Sequence, residues 1–347
     1  MIKFSFVGLD GVFVKSTPIF ANKQKTQQYM KVFRPWVFQG SKSLNNYFEG
    51  WYFKHVSADM KSVYSIIPGI SLSKADSHSF VQVINGLTGD TYYYRYPVDS
   101  FVASSKILST RVGNSTFSKD SVVIDLEGEQ GNINGEIQYE SFSHYPSSIF
   151  RPGIMGWYSF VPFMECKHGV VSTGHGLKGE LRVKNEKIDF TGGKGYIEKD
   201  WGKSFPESWI WLHCNTFNSS DASFTFSVAK IPWLGSFFIG FISYLSFGKQ
   251  FYNFSTWSKA SIESLNYKND ILNIELINKK HRLSIKAVNN DPGDLKAPVM
   301  GSMTRIIKET VDADLELQLT DKEGNILFSD KGVRGGMELI EKIIDYF

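Results

Sequence analysis

The chain has 347 residues, with 38 Lys and Arg against 35 Asp and Glu, for a formal net charge of +3. That near balance excludes a dedicated nucleic-acid binder, which carries a basic stripe, and the 42% hydrophobic content excludes a disordered chain. Aromatic residues make up 15% of the sequence, and with 30 Gly and 11 Pro they point to β-rich structure with aromatic-lined interiors.

The first ten residues, Met1 to Asp10, begin with an apolar run that Asp10 breaks before signal-peptide length. The two cysteines, Cys166 and Cys214, cannot build a disulfide framework, and without a CxxC pair they argue against thiolate metal sites. Free thiols fit a reducing compartment. The expected location is therefore cytoplasmic.

Long helical periodicity is scarce. Short alternating runs dominate instead, at 121–126, 133–139, 179–183, 271–277, 281–287 and 313–319, with turns such as Asn269-Asp270 between them. This pattern predicts an all-β chain. Residues 231–247 carry no charge but hold Pro232, Gly235 and Gly240, so two short strands with a turn near Gly235 are expected there. A greasy lip that touches a membrane is the second reading of the same run. At the end, Met337, Ile340, Ile343, Ile344 and Phe347 fall near helical spacing and allow a short C-terminal helix.

An internal repeat sets the domain count. Glu49, Trp51, Phe53 and His55 read E-x-W-x-F-x-H, and Glu207, Trp209, Trp211 and His213 read E-x-W-x-W-x-H, at a constant offset of 158 residues. That spacing suits a duplicated small β-barrel, with domains expected at 1–190 and 191–347. In a strand, alternate residues share a face. Each set thus puts an acid, two aromatics and an imidazole on one face, which would line a cavity or plug a barrel.

A second pattern lies at 195–202. Tyr196, Glu198 and Asp200 share one strand face, while Ile197, Lys199 and Trp201 share the other. Two buried acids that close would hold a proton between them, and a carboxyl kept neutral near pH 7 is a proton donor. An exposed, solvated pair beside Lys199 is the alternative. His168 and His175 lie in a Gly-rich stretch with no obvious acid set around them, so no metal site is expected.

Three segments, 46–55, 151–176 and 196–217, together resemble the tocopherol cyclase family, and the likeness runs from about residue 35 to about residue 338. The third is the most specific, with its Trp-Gly, Phe-Pro, Trp, Trp, Cys-Asn series. That family is similar in turn to the carotenoid hydratases and other proteins with two lipocalin-like domains. The resemblance implies a pair of calycin-type barrels, in agreement with the repeat. It also implies a cofactor-free reaction: a side-chain double bond of a prenylated quinol is protonated, and the phenolic oxygen captures the cation. Such chemistry needs an acid, a dry cavity and aromatic faces for the cation. Glu198 is the expected donor, Asp200 its partner, and Glu49 the alternative donor or the group that orients the phenol. Trp51, Phe53, Trp157, Trp201, Trp209, Trp211 and His213 are the expected cavity lining. The expected partners are a small hydrophobic lipid and a membrane surface, not nucleic acid. A carrier that binds such a lipid without catalysis is the competing class.

Overall fold

A computed structural model describes residues 31–347 apart from 163, 220, 234 and 291. The segment Met1 to Asp10, read above for a signal peptide, lies outside the described residues. The fold is all-β. Among the described residues, twelve strands form one antiparallel sheet and ten form a second. Each lipocalin-like sheet curls around its own apolar core: Trp51, Phe53, Phe117 and Ile197 sit in the first, and Ile210, Leu212, Phe224 and Phe254 in the second.

The duplication is visible in the strand order. In the first sheet the opening strand Tyr47–Val56 lies between Val63–Leu72 and the closing strand Lys194–Gly202. In the second, the opening strand Trp209–Cys214 lies between Ser223–Trp233 and the closing strand Ile326–Leu339. Trp51 and Trp209 thus occupy equivalent strands of two sheets. Because Lys194–Gly202 closes the first sheet, the sheets divide after Gly202, a strand later than the division at 190/191. The expected C-terminal helix is a short 3-10 turn at Glu341–Tyr346, and Met337 belongs to the closing strand before it.

The two sheets press together along their opening and closing strands. Tyr52, Tyr196, Trp209, Trp211, Tyr244 and Val311 form a third core between them. Polar contacts cross the same seam. The Gln82 amide donates to the Lys296 carbonyl at 3.0 Å, and Arg334 Nε donates to the Met60 carbonyl at 2.7 Å.

Parity sends the two repeats in opposite directions. In Tyr47–Val56 the residues Glu49, Trp51, Phe53 and His55 face the interior of their own sheet, while Tyr52 faces the seam. In Trp209–Cys214 the residues Trp209 and Trp211 face the seam, and Ile210 and Leu212 face the interior. Glu207 precedes the strand and pairs at the surface with Lys230 and Lys342.

Glu49 is a structural pin. It is fully buried, forms an ion pair with Lys199, and accepts hydrogen bonds from the Tyr47 hydroxyl and from the backbone N–H groups of Gln39 (2.8 Å) and Gly40 (3.0 Å). Lys199 also donates to the Val37 carbonyl and lies 4.5 Å from the centre of the Trp51 ring. Removing one partner of such a pair leaves the other charge buried alone. Lys199→Met should therefore cost about 3–5 kcal/mol in urea unfolding, and a loss below about 1 kcal/mol would refute this role.

Candidate active site

The closing strand of the first sheet delivers the acids. Alternation aims Tyr196, Glu198 and Asp200 at the seam and sends Ile197, Lys199 and Trp201 the other way. Pairing then supplies their neighbours. Asp200 sits across from Gly50 on one side and from His168 on the other, and Glu198 sits across from Tyr52.

His168 bridges the two acids. Its Nδ1 lies 3.0 Å from Asp200 Oδ1, and its Nε2 lies 3.5 Å from Glu198 Oε2. The same Glu198 oxygen accepts the Tyr196 hydroxyl at 2.7 Å and the Trp211 indole N–H at 3.2 Å. All these contacts fall on Oε2, so among the described residues Oε1 has no protein partner. Burial pushes the Glu198 carboxyl up to about 7; His168 works against the rise and Asp200 adds to it. Burial disfavours charge on His168, but Asp200 and Glu198 outweigh it and raise the ring to about 9. The two acids thus communicate through an imidazolium rather than by the direct sharing expected from sequence.

The second sheet brings two more acids to the same seam. Glu309 and Glu338 face each other across adjacent strands, and Glu338 also lies across from Trp211. Trp209 donates its indole N–H to Glu338 Oε2 at 2.5 Å, and Tyr52 donates its hydroxyl to Glu309 Oε1 at 2.8 Å. Burial pushes Glu338 up to about 7 and Glu309 well above the usual carboxylate range, the latter reinforced by the charge of Glu338.

These groups stand at the waist of two adjoining cavities. The outer one, about 960 Å³ counting its open mouth, is walled by Trp209, Met155, Met164, Phe238 and Phe241. The inner one, about 520 Å³ on the same basis, is walled by Phe48, Tyr52, Ile67, Phe80 and Leu295. Glu198, Asp200, Phe205, Trp211 and Glu338 line both.

Of the residues expected at the site, Glu198, Asp200 and Trp211 meet at this waist, and Trp209 lines the outer cavity beside it. Glu49, Trp51 and Phe53 do not, because their faces point into the first sheet. Trp201 also faces away and lines a separate cavity with Pro35, Tyr47 and Lys167. His213 is buried behind the cavity wall, stacked on the Tyr196 ring at 3.5 Å, where it holds the hydroxyl that reaches Glu198. Trp157 is 50% exposed on the rim.

Sequence reasoning missed His168, whose acid set comes from a neighbouring strand, and it missed Glu309 and Glu338. The signal for Glu338 was an acid between apolar Met337 and Leu339, hidden by reading that segment as helical. His168, Glu198 and Asp200 offer ligand atoms within 4.8 Å of one another, a spacing that could hold a metal ion.

A model of the tocopherol cyclase-like family matches residues 127–339, more than half of the sequence. The chain belongs to this family. The matched region carries His168, Glu198, Asp200, Glu309 and Glu338, and leaves out Glu49. A probable chloroplastic tocopherol cyclase from Oryza sativa subsp. japonica is 28% identical over 177 residues, 49% of this chain and 37% of that protein. The chloroplastic tocopherol cyclase of Zea mays is 27% identical over 175 residues, 48% and 36% of the two chains. The match thus spans little more than a third of these curated relatives. Among solved structures, CghA with Sch210972 superposes with a TM-score of 0.54 at 11% identity, covering 84% of this chain and 87% of that one. CghA in a second structure gives 0.52 at 10% identity, over 84% and 88%. At such identities the likeness is one of fold.

The imidazolium of His168 holds the Glu198 carboxyl down, so its removal should let that carboxyl rise. In a pH titration of intrinsic Trp emission, the step lost in Glu198→Gln should have its midpoint near 7 in the wild type and above that in His168→Gln. An unmoved midpoint would mean that the ring and the acid are uncoupled.

Proposed function

We propose that this protein is a cofactor-free cyclase or hydratase of an isoprenoid lipid, with a prenylated quinol as the favoured substrate class and Glu198 as the proton donor. One observation carries the reading: a carboxyl raised to about 7 keeps one oxygen free at the waist of two apolar chambers, beside Trp209 and Trp211. A carrier needs volume and greasy walls. It has no use for three buried carboxyls, each of which opposes burial. The family resemblance supports the same class of chemistry.

The reaction balances without redox change. The Glu198 O–H bond breaks and a C–H bond forms at one carbon of the side-chain double bond, leaving a tertiary cation and a carboxylate. The Trp209 and Trp211 faces stabilise the cation, an interaction worth about 2 kcal/mol or more when desolvated. The phenolic oxygen, or a water in the hydratase variant, forms the new C–O bond and loses its proton. That proton returns to the Glu198 carboxylate, with the Asp200–His168 pair placed to relay it. Water must stay out of ring closure, which the apolar walls favour.

We also read the rim as a membrane contact. No helix among the described residues is long and apolar enough to cross a membrane. The strands Ser223–Trp233 and Ser236–Phe247 meet in a hairpin across Gly235. Trp233 at its tip is 37% exposed and shares a hollow with Trp157, Tyr158 and Phe238 beside the outer chamber, while Phe237, 44% exposed, lies against Lys230 and Tyr346. Farther along the same strand Phe241 and Tyr244 are buried. A cytoplasmic protein that docks this lip on a bilayer would draw an insoluble substrate directly into the cavity. Trp233→Ser with Phe237→Ser should lower liposome co-sedimentation several-fold, by about 0.8 kcal/mol per buried CH₂ equivalent lost, and leave the melting temperature intact. Unchanged sedimentation would end this part of the proposal.

Glu198→Gln keeps the volume and removes the acidic proton. It should lower chromanol formation by at least about 100-fold while quinol binding, read by Trp quenching, stays within about 3-fold. Because the acid form is the active one, wild-type kcat/KM should fall as pH rises through about 7. A Glu198→Gln enzyme within about 3-fold of wild type would move the donor role to Glu338.

A further inference from the structure

We propose that Glu338 is the catalytic base of this site, and that Glu309, by holding a proton against it, keeps it ionised. The inference rests on the function proposed above and assigns the second proton transfer of that reaction.

Strand register builds the pair. Glu309, on Ser302–Asp321, and Glu338, on Ile326–Leu339, are direct partners across an antiparallel ladder, where Cβ atoms stand about 4.5–5.5 Å apart. Both side chains line the inner chamber, both are buried, and they hydrogen-bond to each other. Two carboxylates in such contact repel, so one proton stays between them and leaves one charge.

The neighbours decide which acid keeps the proton. Burial raises both carboxyls. Glu338 is drawn back down by two donors, the Trp209 indole N–H at 2.5 Å and the Glu309 carboxyl. Glu309 accepts the Tyr52 hydroxyl at 2.8 Å, but burial and the charge of Glu338 push it well above the usual carboxylate range. Glu309 is therefore the donor of the pair and Glu338 the acceptor. A positive charge stands near them. Lys54 is 1% exposed and follows Tyr52 by two residues on the same strand face. Burial lowers its ammonium, and Glu309 is among the acids that support it.

Glu338 lines both chambers, as Glu198 does, while Glu309 lines the inner one. One sheet thus brings an acid to the waist and the other a base. Once Glu198 has protonated the double bond, an oxygen attacks the tertiary cation. Its O–H bond breaks as the C–O bond forms, and Glu338 takes the proton. Burial raises Glu338, and the nearby charge of Asp200 adds to the rise. The proton then passes from Glu338 through Asp200 and His168 to the Glu198 carboxylate, and the cycle closes with no electron gained or lost. Without the base the cation has another exit: it returns a C–H proton to the Glu198 carboxylate and becomes an alkene again.

Deuterium separates the two exits. Each protein is incubated in heavy water, under argon, with a geranylgeranyl-1,4-hydroquinone. Chromatography with mass spectrometry then measures the chromanol and the carbon-bound deuterium in the recovered quinol and its double-bond isomers. Every return from the cation leaves deuterium in that recovered pool. In Glu338→Gln the ratio of deuterated quinol to chromanol should rise at least about 10-fold, because protonation continues while capture fails. Glu198→Gln should instead lower both together, by at least about 100-fold. A folded Glu338→Gln whose ratio stays within about 3-fold of wild type, or which loses both products in equal proportion, overturns the assignment. Should that variant not fold, Glu309→Met decides. It removes the donor that keeps Glu338 ionised and should raise the ratio at least about 3-fold, and an unmoved ratio overturns the proposal. The two readings fail differently. A wild type that leaves the quinol undeuterated and uncyclised sinks the catalytic reading and the base with it, whereas deuterium uptake and chromanol in a ratio indifferent to Glu338 sink the base alone.

Discussion

Burial of carboxyl groups in the seam between two curled sheets is the constraint on which the site depends. Tyr52, Trp209, Trp211 and Tyr244 pack there, and in so apolar a place a carboxyl is more stable with its proton than without it. Glu198, Glu309 and Glu338 are all raised for this reason. A neutral acid beside an apolar chamber is a general acid by environment alone. The indole and phenol donors that touch these carboxyls moderate the effect, and the charged ring of His168 moderates it further for Glu198. The result is an acid poised near neutrality instead of one locked in the protonated state.

The duplicated architecture is used asymmetrically. Both sheets place an aromatic strand in the same topological position, yet the first turns its Trp and Phe inward and the second turns its two Trp outward to the seam. The first sheet therefore contributes His168, Glu198 and Asp200 to the waist, and the second contributes Trp211 and Glu338. The inward acid of the first copy, Glu49, has become a buried partner of Lys199 that ties residues 37–40 to the strand. Its counterpart Glu207 is at the surface.

Much of this was legible in the sequence, and the rest was hidden for physical reasons. Alternation along 196–200 correctly put Tyr196, Glu198 and Asp200 on one face, because strand parity is local. Which side of the sheet that face would meet is a tertiary property, and so Glu49, Trp51 and Phe53 were grouped with a cavity they do not line. His168 reaches Asp200 only through strand pairing across 32 positions of sequence, beyond any local pattern. Glu338 was masked because the last apolar residues fall near helical spacing while the chain there runs as an extended strand. The repeat at a fixed offset was a reliable guide to architecture, since both copies must start a sheet, and a poor guide to function.

The central claim is that Glu198 is a neutral carboxylic acid in the resting protein. Infrared difference spectroscopy between about pH 6 and about pH 9, compared between wild type and Glu198→Gln, reads that state directly. A protonated-carboxyl band present at the lower pH, lost as pH rises through about 7 and missing from the variant, is the predicted result. Identical difference spectra from the two proteins would contradict the account, because Glu198 would then not titrate between these pH values.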